Sequence, residues 1–133
     1  MDNFYVGQKV MHEKSFTMDE VILYTQLSGD ENPVHTDVLY AKNSRFGDNI
    51  VHGMFVMGVV SKILGTMLPG KGTIYLGQDV QFRRPVYVGK RVFFEVEIVE
   101  ILEQKKQIIL KTNVFDEEMQ CLVEGTARVL YEG

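Results

Sequence analysis

The stretch Gly53-Met-Phe-Val-Met-Gly-Val-Val-Ser-Lys-Ile-Leu-Gly-Thr-Met67 is apolar on nearly every side when it is wound as a helix. A helix with this pattern is typical of a buried core position. It is also shorter than the roughly 20 residues that cross a bilayer. We therefore expect the rest of the chain to enclose this helix.

The residues after this helix are predicted to supply the enclosing sheet. Leu68-Pro-Gly-Lys-Gly72 is typical of a turn, and beyond it the apolar period changes from helical to alternating. Strands are predicted over 73–84, 91–102, 106–115 and 119–131. Short connections at 103–104 and 116–118 favour hairpins, so an antiparallel meander is expected. The pattern as a whole predicts an α+β domain.

The N-terminal part adds a strand and helical segments. After a predicted strand over 9–16, Thr17-Met-Asp-Glu20 has the pattern of a capping box, and Gly29 stands where a left-handed residue would end the helix. Asn32 followed by Pro33 predicts the start of a second short helix that runs to about Lys42. An inserted helical segment is thus expected to lie beside the core helix.

A carboxylate and an imidazole, Asp30 and His35, stand five residues apart in this inserted segment. The predicted ends of the two helices can bring both side chains to one pocket, where proton transfer is divided between them. Taken alone, the pair also fits a capping ion pair in which Asp30 stabilises a charged imidazole. The spacing leaves both interpretations open.

Composition limits the class of protein. The chain has 133 residues, of which 45% are hydrophobic, so we expect a single domain over 1–133 whose core needs neither disulfides nor a metal. The lone Cys121 fits a reduced core thiol better than a nucleophile. The first residues lack the features of a signal peptide, and no apolar run reaches the length of a membrane span. These features predict a cytoplasmic protein without membrane contact.

Charge argues against nucleic acid as a partner. Eighteen acidic and fourteen basic residues give a net charge of −4, and no basic run is longer than two residues. An anionic ligand would therefore need a local basic patch. The candidates are Lys71, Arg83, Arg84 and Lys90, whose alternative interpretation is ordinary surface charge.

Four motifs, in this order along the chain, resemble one family. They are Ser28-Gly-Asp-Glu-Asn-Pro-Val-His35 with Ala41, Ile50-Val-His-Gly-Met54, Gly72-Thr-Ile-Tyr-Leu-Gly-Gln78, and Phe82-Arg-Arg-Pro-Val-Tyr-Val-Gly89. The chain resembles the MaoC-type dehydratases, and among them the short (R)-specific enoyl-CoA hydratases. The resemblance implies a hot-dog fold, in which a curved antiparallel sheet wraps a central helix and a helical overhang carries the catalytic dyad.

The resemblance also implies an activity and a site. Asp30 and His35 would hold a water against the double bond of a trans-2-enoyl thioester, and the amide of Gly53 would bind the enolate oxygen. We expect His35 to be the base and Asp30 the acid, with shared roles as the alternative. Side chains expected to contact substrate are Asn32, Ser61 and Leu64.

Some of these assignments have structural alternatives. Asn32 equally fits a helix cap, and a serine within a packed helix, as at Ser61, commonly bonds its own backbone. His52 fits a residue that fixes its loop. The spacing of Asp30, His35 and His52 matches no standard metal-ligand pattern, so no metal site is expected.

The expected partners follow from the same resemblance. No cofactor is predicted, since the coenzyme A thioester is the substrate, and a homodimer is expected because a small sheet leaves an exposed edge strand. The alternatives are a hot-dog acyl-CoA thioesterase and a non-catalytic acyl-CoA binding module.

Overall fold

A computed structural model describes all residues from 1 to 133 and contains one antiparallel sheet of five strands in the order β1-β3-β4-β5-β2. The strands are β1 Lys9–Ser15, β2 Thr73–Phe82, β3 Arg91–Leu102, β4 Gln107–Phe115 and β5 Cys121–Tyr131. The helices are α1 Met18–Ser28, α2 Val38–Lys42 and α3 Gly53–Thr66. None of the helices has the length and apolar character needed to cross a bilayer.

The predicted meander is confirmed for β3, β4 and β5 but is wrong for β2. Strand β2 pairs with β5, so the connection over 83–90 crosses from one edge of the sheet to the far side of the meander. This connection is not a hairpin, because β2 and β3 do not pair with each other. Its backbone is instead hydrogen-bonded to the segment that precedes α3. The amide of Val51 donates to the Val86 carbonyl at 2.7 Å, and the amide of Val88 donates to that of Asn49 at 3.1 Å.

Helix α3 packs its apolar side chains on the concave face of the sheet. The fully buried residues at this contact include Val60 and Ile63 of α3 and Phe94 and Ile98 of β3. Burying each such side chain contributes about 1.5–3 kcal/mol. The enclosure is incomplete, since Met54 is 63% exposed and a side chain at Gly58 would meet no atom within 4 Å. One face of α3 therefore remains open.

Helix α1 begins and ends as the sequence predicts. The hydroxyl of Thr17 accepts from the amide of Glu20, the Glu20 carboxylate accepts from the amide of Thr17, and Gly29 has φ of 79°. The end of α1 is therefore fixed at the residue before Asp30.

The predicted second helix is wrong in its start. Residues 33–36 form a turn, in which the amide of Asp37 donates to the Pro33 carbonyl at 2.9 Å. Helix α2 begins only at Val38, where the Asp37 carboxylate accepts from the amide of Tyr40 at 3.0 Å. Asn32 caps only this turn, since its Oδ1 accepts from the amide of Val34, whereas the cap at Asp37 begins the helix that continues. His35 consequently lies in the turn and not in a helix.

Candidate active site

A cavity of about 590 Å³ lies between the segment after α1, the start of α3 and the end of β2. The three predicted catalytic residues, Asp30, His35 and Gly53, all line it. The remaining lining is mostly apolar, with Ile50, Val51, Met54, Val56, Phe82, Pro85, Val86 and Val123, together with Arg45, Phe46, Arg83 and Arg84. A mostly apolar cavity with a few convergent polar groups is typical of a small-molecule site.

The imidazole of His35 is 7% exposed and its tautomer follows from one hydrogen bond. Its Nδ1 lies 2.8 Å from the carbonyl oxygen of Ile50. Because a carbonyl oxygen only accepts, Nδ1 carries the proton and donates it. In the neutral ring Nε2 is then left with a free lone pair, which is the form that a general base requires.

The carboxylate of Asp30 is exposed and lies close to His35 without pairing with it. Its Oδ1 accepts from the amide of Asn32 at 3.3 Å. Ligand atoms of Asp30, His35 and His52 lie within 4.8 Å of one another. At separations up to this distance, a water that lies about 2.8 Å from each of two groups can bridge them. The geometry thus fits a water held between carboxylate and imidazole, and the direct ion pair considered from the sequence does not form.

Gly53 begins α3 and leaves its backbone free. The amides of Gly53 and Met54 donate to no acceptor of the chain, and His52 provides no side-chain cap. Free amides at the positive end of the helix dipole favour an anion. A Cβ atom at Gly53 would lie 2.9 Å from the ring of Phe82, so a side chain there would require this half-exposed ring to shift.

The three predicted substrate contacts do not line this cavity. Asn32 is exposed, and its Oδ1 accepts from the amide of Val34 at 3.4 Å, so it stabilises the turn. Ser61 lies on the open face of α3, in a groove of about 450 Å³ against β2. Leu64 is 1% exposed and belongs to the core. Met54 lines both the cavity and the groove.

His52 is buried behind the dyad and contacts both of its members. Its ring stacks on that of His35 with centroids 3.8 Å apart, and its Nε2 lies 3.2 Å from the Asp30 carbonyl oxygen. Burial lowers the pKa of His52, and the positive charge that His35 can carry lowers it further. His52 therefore contacts the main chain of Asp30 and the ring of His35.

Three arginines at the cavity differ in their partners. Arg83 pairs with Glu124 at 3.2 Å, whereas no carboxylate lies within ion-pair distance of Arg45 or Arg84. The sequence drew attention to Arg83 and Arg84 but missed Arg45. Arg45 reaches the cavity on a loop that is held by a residue distant in the sequence. The Tyr87 hydroxyl donates to the Phe46 carbonyl at 2.8 Å.

A metal ion does not fit the Asp30, His35 and His52 group. A metal bound to an imidazole nitrogen lies near the plane of the ring, along the lone pair. The rings of His35 and His52 are stacked with only 24° between their planes, so their lone pairs do not converge on one ion. His35 Nδ1 is in addition occupied by its bond to Ile50.

The chain is similar over nearly all its length to hydratases. Residues 3–119 match the family model of the MaoC like domain. An (R)-specific enoyl-CoA hydratase of Aeromonas caviae is 43% identical over 124 residues, which cover 93% of this chain and 92% of that protein. The (R)-specific enoyl-CoA hydratase of Rhodospirillum rubrum is 35% identical over 127 residues, covering 96% and 82%.

A solved structure of a hydratase has the same fold as this chain. The (R)-hydratase from A. caviae superimposes with a TM-score of 0.95 at 40% identity and covers 98% of this chain and 99% of that one. The curved sheet around α3 is therefore the predicted hot-dog fold. With the family model, the relatives and the fold in agreement, the chain belongs to the MaoC-like domain family.

Proposed function

We propose that the protein is an (R)-specific enoyl-CoA hydratase, which reversibly adds water to trans-2-enoyl-CoA to give (R)-3-hydroxyacyl-CoA. The observation that carries this proposal is that Asp30, His35 and the free amide of Gly53 line one cavity. The relatives from A. caviae and R. rubrum are (R)-specific enoyl-CoA hydratases, which supports this proposal.

The dyad supplies the two proton transfers. His35 Nε2 takes a proton from the water while the water oxygen forms a bond to C3, and the π electrons move toward the thioester. Asp30, in its protonated form, gives a proton to C2. His35 is assigned the role of base because the Ile50 carbonyl fixes its proton on Nδ1. The proton on His35 then returns to the Asp30 carboxylate through solvent, since Asp30 is exposed.

The start of α3 stabilises the enolate that forms between these steps. Attack at C3 moves negative charge onto the thioester oxygen, which needs donors that are already in place. The amides of Gly53 and Met54 have no other acceptor and lie at the positive end of the helix dipole. Charge develops only in the reacting state, so these amides favour the reaction over simple binding.

The thioester carrier is proposed to be coenzyme A, whose phosphates are anionic. Arg45 and Arg84 line the cavity without acidic partners in a chain of net charge −4. Such unpaired guanidinium groups fit phosphate oxygens well. The reaction needs no metal in this proposal, because a water, two proton-transfer groups and amide donors account for each step.

We further propose a homodimer joined through β2. This strand is an edge of the sheet, and its side chains at Ile74, Leu76 and Phe82 are about half exposed. Edge-to-edge pairing would satisfy the free backbone groups of β2. Light scattering of the purified protein tests this association. The cytoplasmic location stays a prediction that cell fractionation would check.

Product analysis with crotonyl-CoA tests the activity. A hydratase removes the absorbance of the conjugated enoyl thioester without releasing a free thiol, and chiral analysis then yields the R product. Release of free thiol would instead identify a thioesterase. Binding without any chemical change would identify a binding module, and either of these results would overturn the proposal.

A further inference from the structure

His52 is a buried, titratable group that the proposed reaction does not use. It is 2% exposed and does not line the cavity. Its ring lies between two others, Tyr24 of α1 at 4.7 Å and His35 at 3.8 Å between centroids. Because it is shielded from the cavity, any effect on the reaction must pass through its neighbours.

The hydrogen bonds around His52 determine where its proton lies. Nε2 is 3.2 Å from the Asp30 carbonyl oxygen, which only accepts, and 3.1 Å from the Thr25 hydroxyl. The Thr25 hydroxyl gives its own proton to the Val21 carbonyl at 2.9 Å, so toward His52 it is also an acceptor. Nε2 must therefore be the protonated nitrogen.

The other nitrogen then disfavours a charged ring. Nδ1 of His52 is buried and has no hydrogen-bond partner. A second proton there would be a buried N–H without an acceptor, which is unfavourable. His52 is thus held neutral, and no positive charge is placed against the face of His35. Such a charge would oppose the imidazolium that His35 forms when it takes a proton from water.

We propose that His52 is a positioning residue for hydration, an inference that rests on the proposed function. Its Nε2–H holds the main chain of Asp30, and its ring holds the plane of the His35 imidazole. The two contacts together keep carboxylate and imidazole at the separation that one water spans. Misplacing reacting groups by about 1 Å costs on the order of a hundredfold in rate.

Three substitutions separate the two contacts. His52→Gln keeps a side-chain N–H that can reach the Asp30 carbonyl but loses the stacked ring. His52→Phe keeps a ring against His35 but loses the donor, and His52→Ala loses both. Thr25→Val is the matched control, since it removes the other acceptor of the same N–H and leaves the bond to Asp30 in place.

Steady-state hydration of crotonyl-CoA, measured at a temperature where each variant is folded, gives the test. We expect kcat to fall about tenfold in His52→Gln and His52→Phe and about a hundredfold in His52→Ala, with KM within about twofold of wild type. Thr25→Val should remain within about threefold of wild type. The acid limb of the pH profile should stay in place in His52→Gln, because the substitution replaces a neutral ring with a neutral amide.

Several outcomes would overturn the proposal. They are a folded His52→Ala with wild-type kcat, a rise in KM at constant kcat, or a loss in His52→Gln as large as that caused by changing the dyad itself. If the variants do not fold, ¹⁵N chemical shifts of wild-type His52 decide. The proposal requires a proton on Nε2 alone at neutral pH, and the other tautomer or a charged ring contradicts it. Failure of wild type to hydrate crotonyl-CoA would overturn the proposed function separately.

Discussion

The two walls of the cavity are built in different ways. Asp30 and His35 lie on an irregular segment that is held by bonds to side chains and main-chain carbonyls, and Asp30 is exposed. Gly53 is the first residue of a regular helix that is anchored by the buried core. The first wall therefore acts through the identity of its side chains. The second acts through its backbone and through the absence of a side chain.

The largest expected effect comes from the side chains of the first wall. Asp30→Asn and His35→Gln should each lower kcat for crotonyl-CoA by about 10²–10⁴-fold, because each removes one proton-transfer group. Little stability should be lost with Asp30→Asn, since the carboxylate is exposed. Steady-state kinetics and thermal unfolding measure the two effects.

Glu31→Gln is the matched control for this prediction. Glu31 is the exposed neighbour of Asp30 and does not line the cavity, so its charge can be removed without touching the dyad. Full hydration by folded Asp30→Asn and His35→Gln would show that the dyad is assigned wrongly.

The role of the second wall is best tested by removing the backbone amide of Gly53. Proline is tolerated at the first position of a helix, and the preceding His52 has ψ of 132°, which a residue before proline favours. Gly53→Pro therefore removes the amide donor with little cost to α3, and kcat should fall about 10²–10³-fold.

Gly53→Ala distinguishes the two effects of the proline variant, which are loss of the amide donor and crowding by an added Cβ atom. It keeps the amide but places a Cβ 2.9 Å from the ring of Phe82, as the proline also does. The kcat of Gly53→Ala should stay well above that of Gly53→Pro, and relief of the crowding by Phe82→Leu should raise it further. Equal kcat values for the alanine and proline variants would show that space, and not the amide, decides.

The same contrast explains what the sequence could predict. Helices α1 and α3 and strands β3 to β5 have local signals, such as the box at Thr17 and Glu20, and they form as expected. The partner of β2 has no local signal, because its pairing joins residues far apart in the chain. The predicted start of the second helix is wrong because Asn32 and Asp37 are both cap residues, and the turn that Asn32 caps does not continue as a helix. Local patterns do not decide between equal caps.

The candidate site divides in the same way. Asp30, His35 and Gly53 stand within motifs and were brought together as predicted. Arg45 reaches the cavity through contacts that span many residues, so no nearby pattern marks it. Ser61 and Leu64 share α3 with Gly53, but their positions on other faces of the helix take them away from this cavity.

The irregular wall should also depend on a single buried amide. Nδ2 of Asn49 donates to the carbonyls of Val34 at 3.1 Å and Asp37 at 3.3 Å, on either side of His35. Asn49→Ala removes both of these hydrogen bonds, although the two carbonyls still accept from the amides of Ile50 and Ala41. Since a hydrogen bond contributes about 0.5–1.5 kcal/mol, the free energy of unfolding should fall by about 1–3 kcal/mol. Urea unfolding measures this change.

An exposed amide provides the comparison for Asn49. Asn43 donates to the Leu39 carbonyl at 3.1 Å in the exposed end of α2. Asn43→Ala should change the free energy of unfolding by no more than about 0.5 kcal/mol. If the two alanine variants were equally stable, the turn would not depend on Asn49.

A smaller effect is expected at the two arginines that are proposed to bind the phosphates of coenzyme A. Arg45→Gln and Arg84→Gln should each raise KM for crotonyl-CoA by up to about fivefold, because exposed ion pairs contribute about 0.2–1 kcal/mol. KM for crotonyl-pantetheine, which lacks the nucleotide, should not change. Arg83→Gln is the control, since Glu124 already occupies that guanidinium. Equal effects on both thioesters would place the arginines away from the nucleotide.

The smallest effect should appear in stability against pH. Burial lowers the pKa of His52 below its usual 6.5, so between the two values the unfolded chain binds a proton that the folded chain does not. The free energy of unfolding therefore rises with pH across this window and falls as the solution is acidified below about 6.5. The pKa of His12 is lowered in the same direction, by burial and by Lys62 and Lys14, so His12 adds a decline of the same sign. Thermal unfolding between about pH 7.5 and 5.5 should show a shallower decline in His52→Gln than in wild type, and an unchanged slope would mean that His52 is not held neutral.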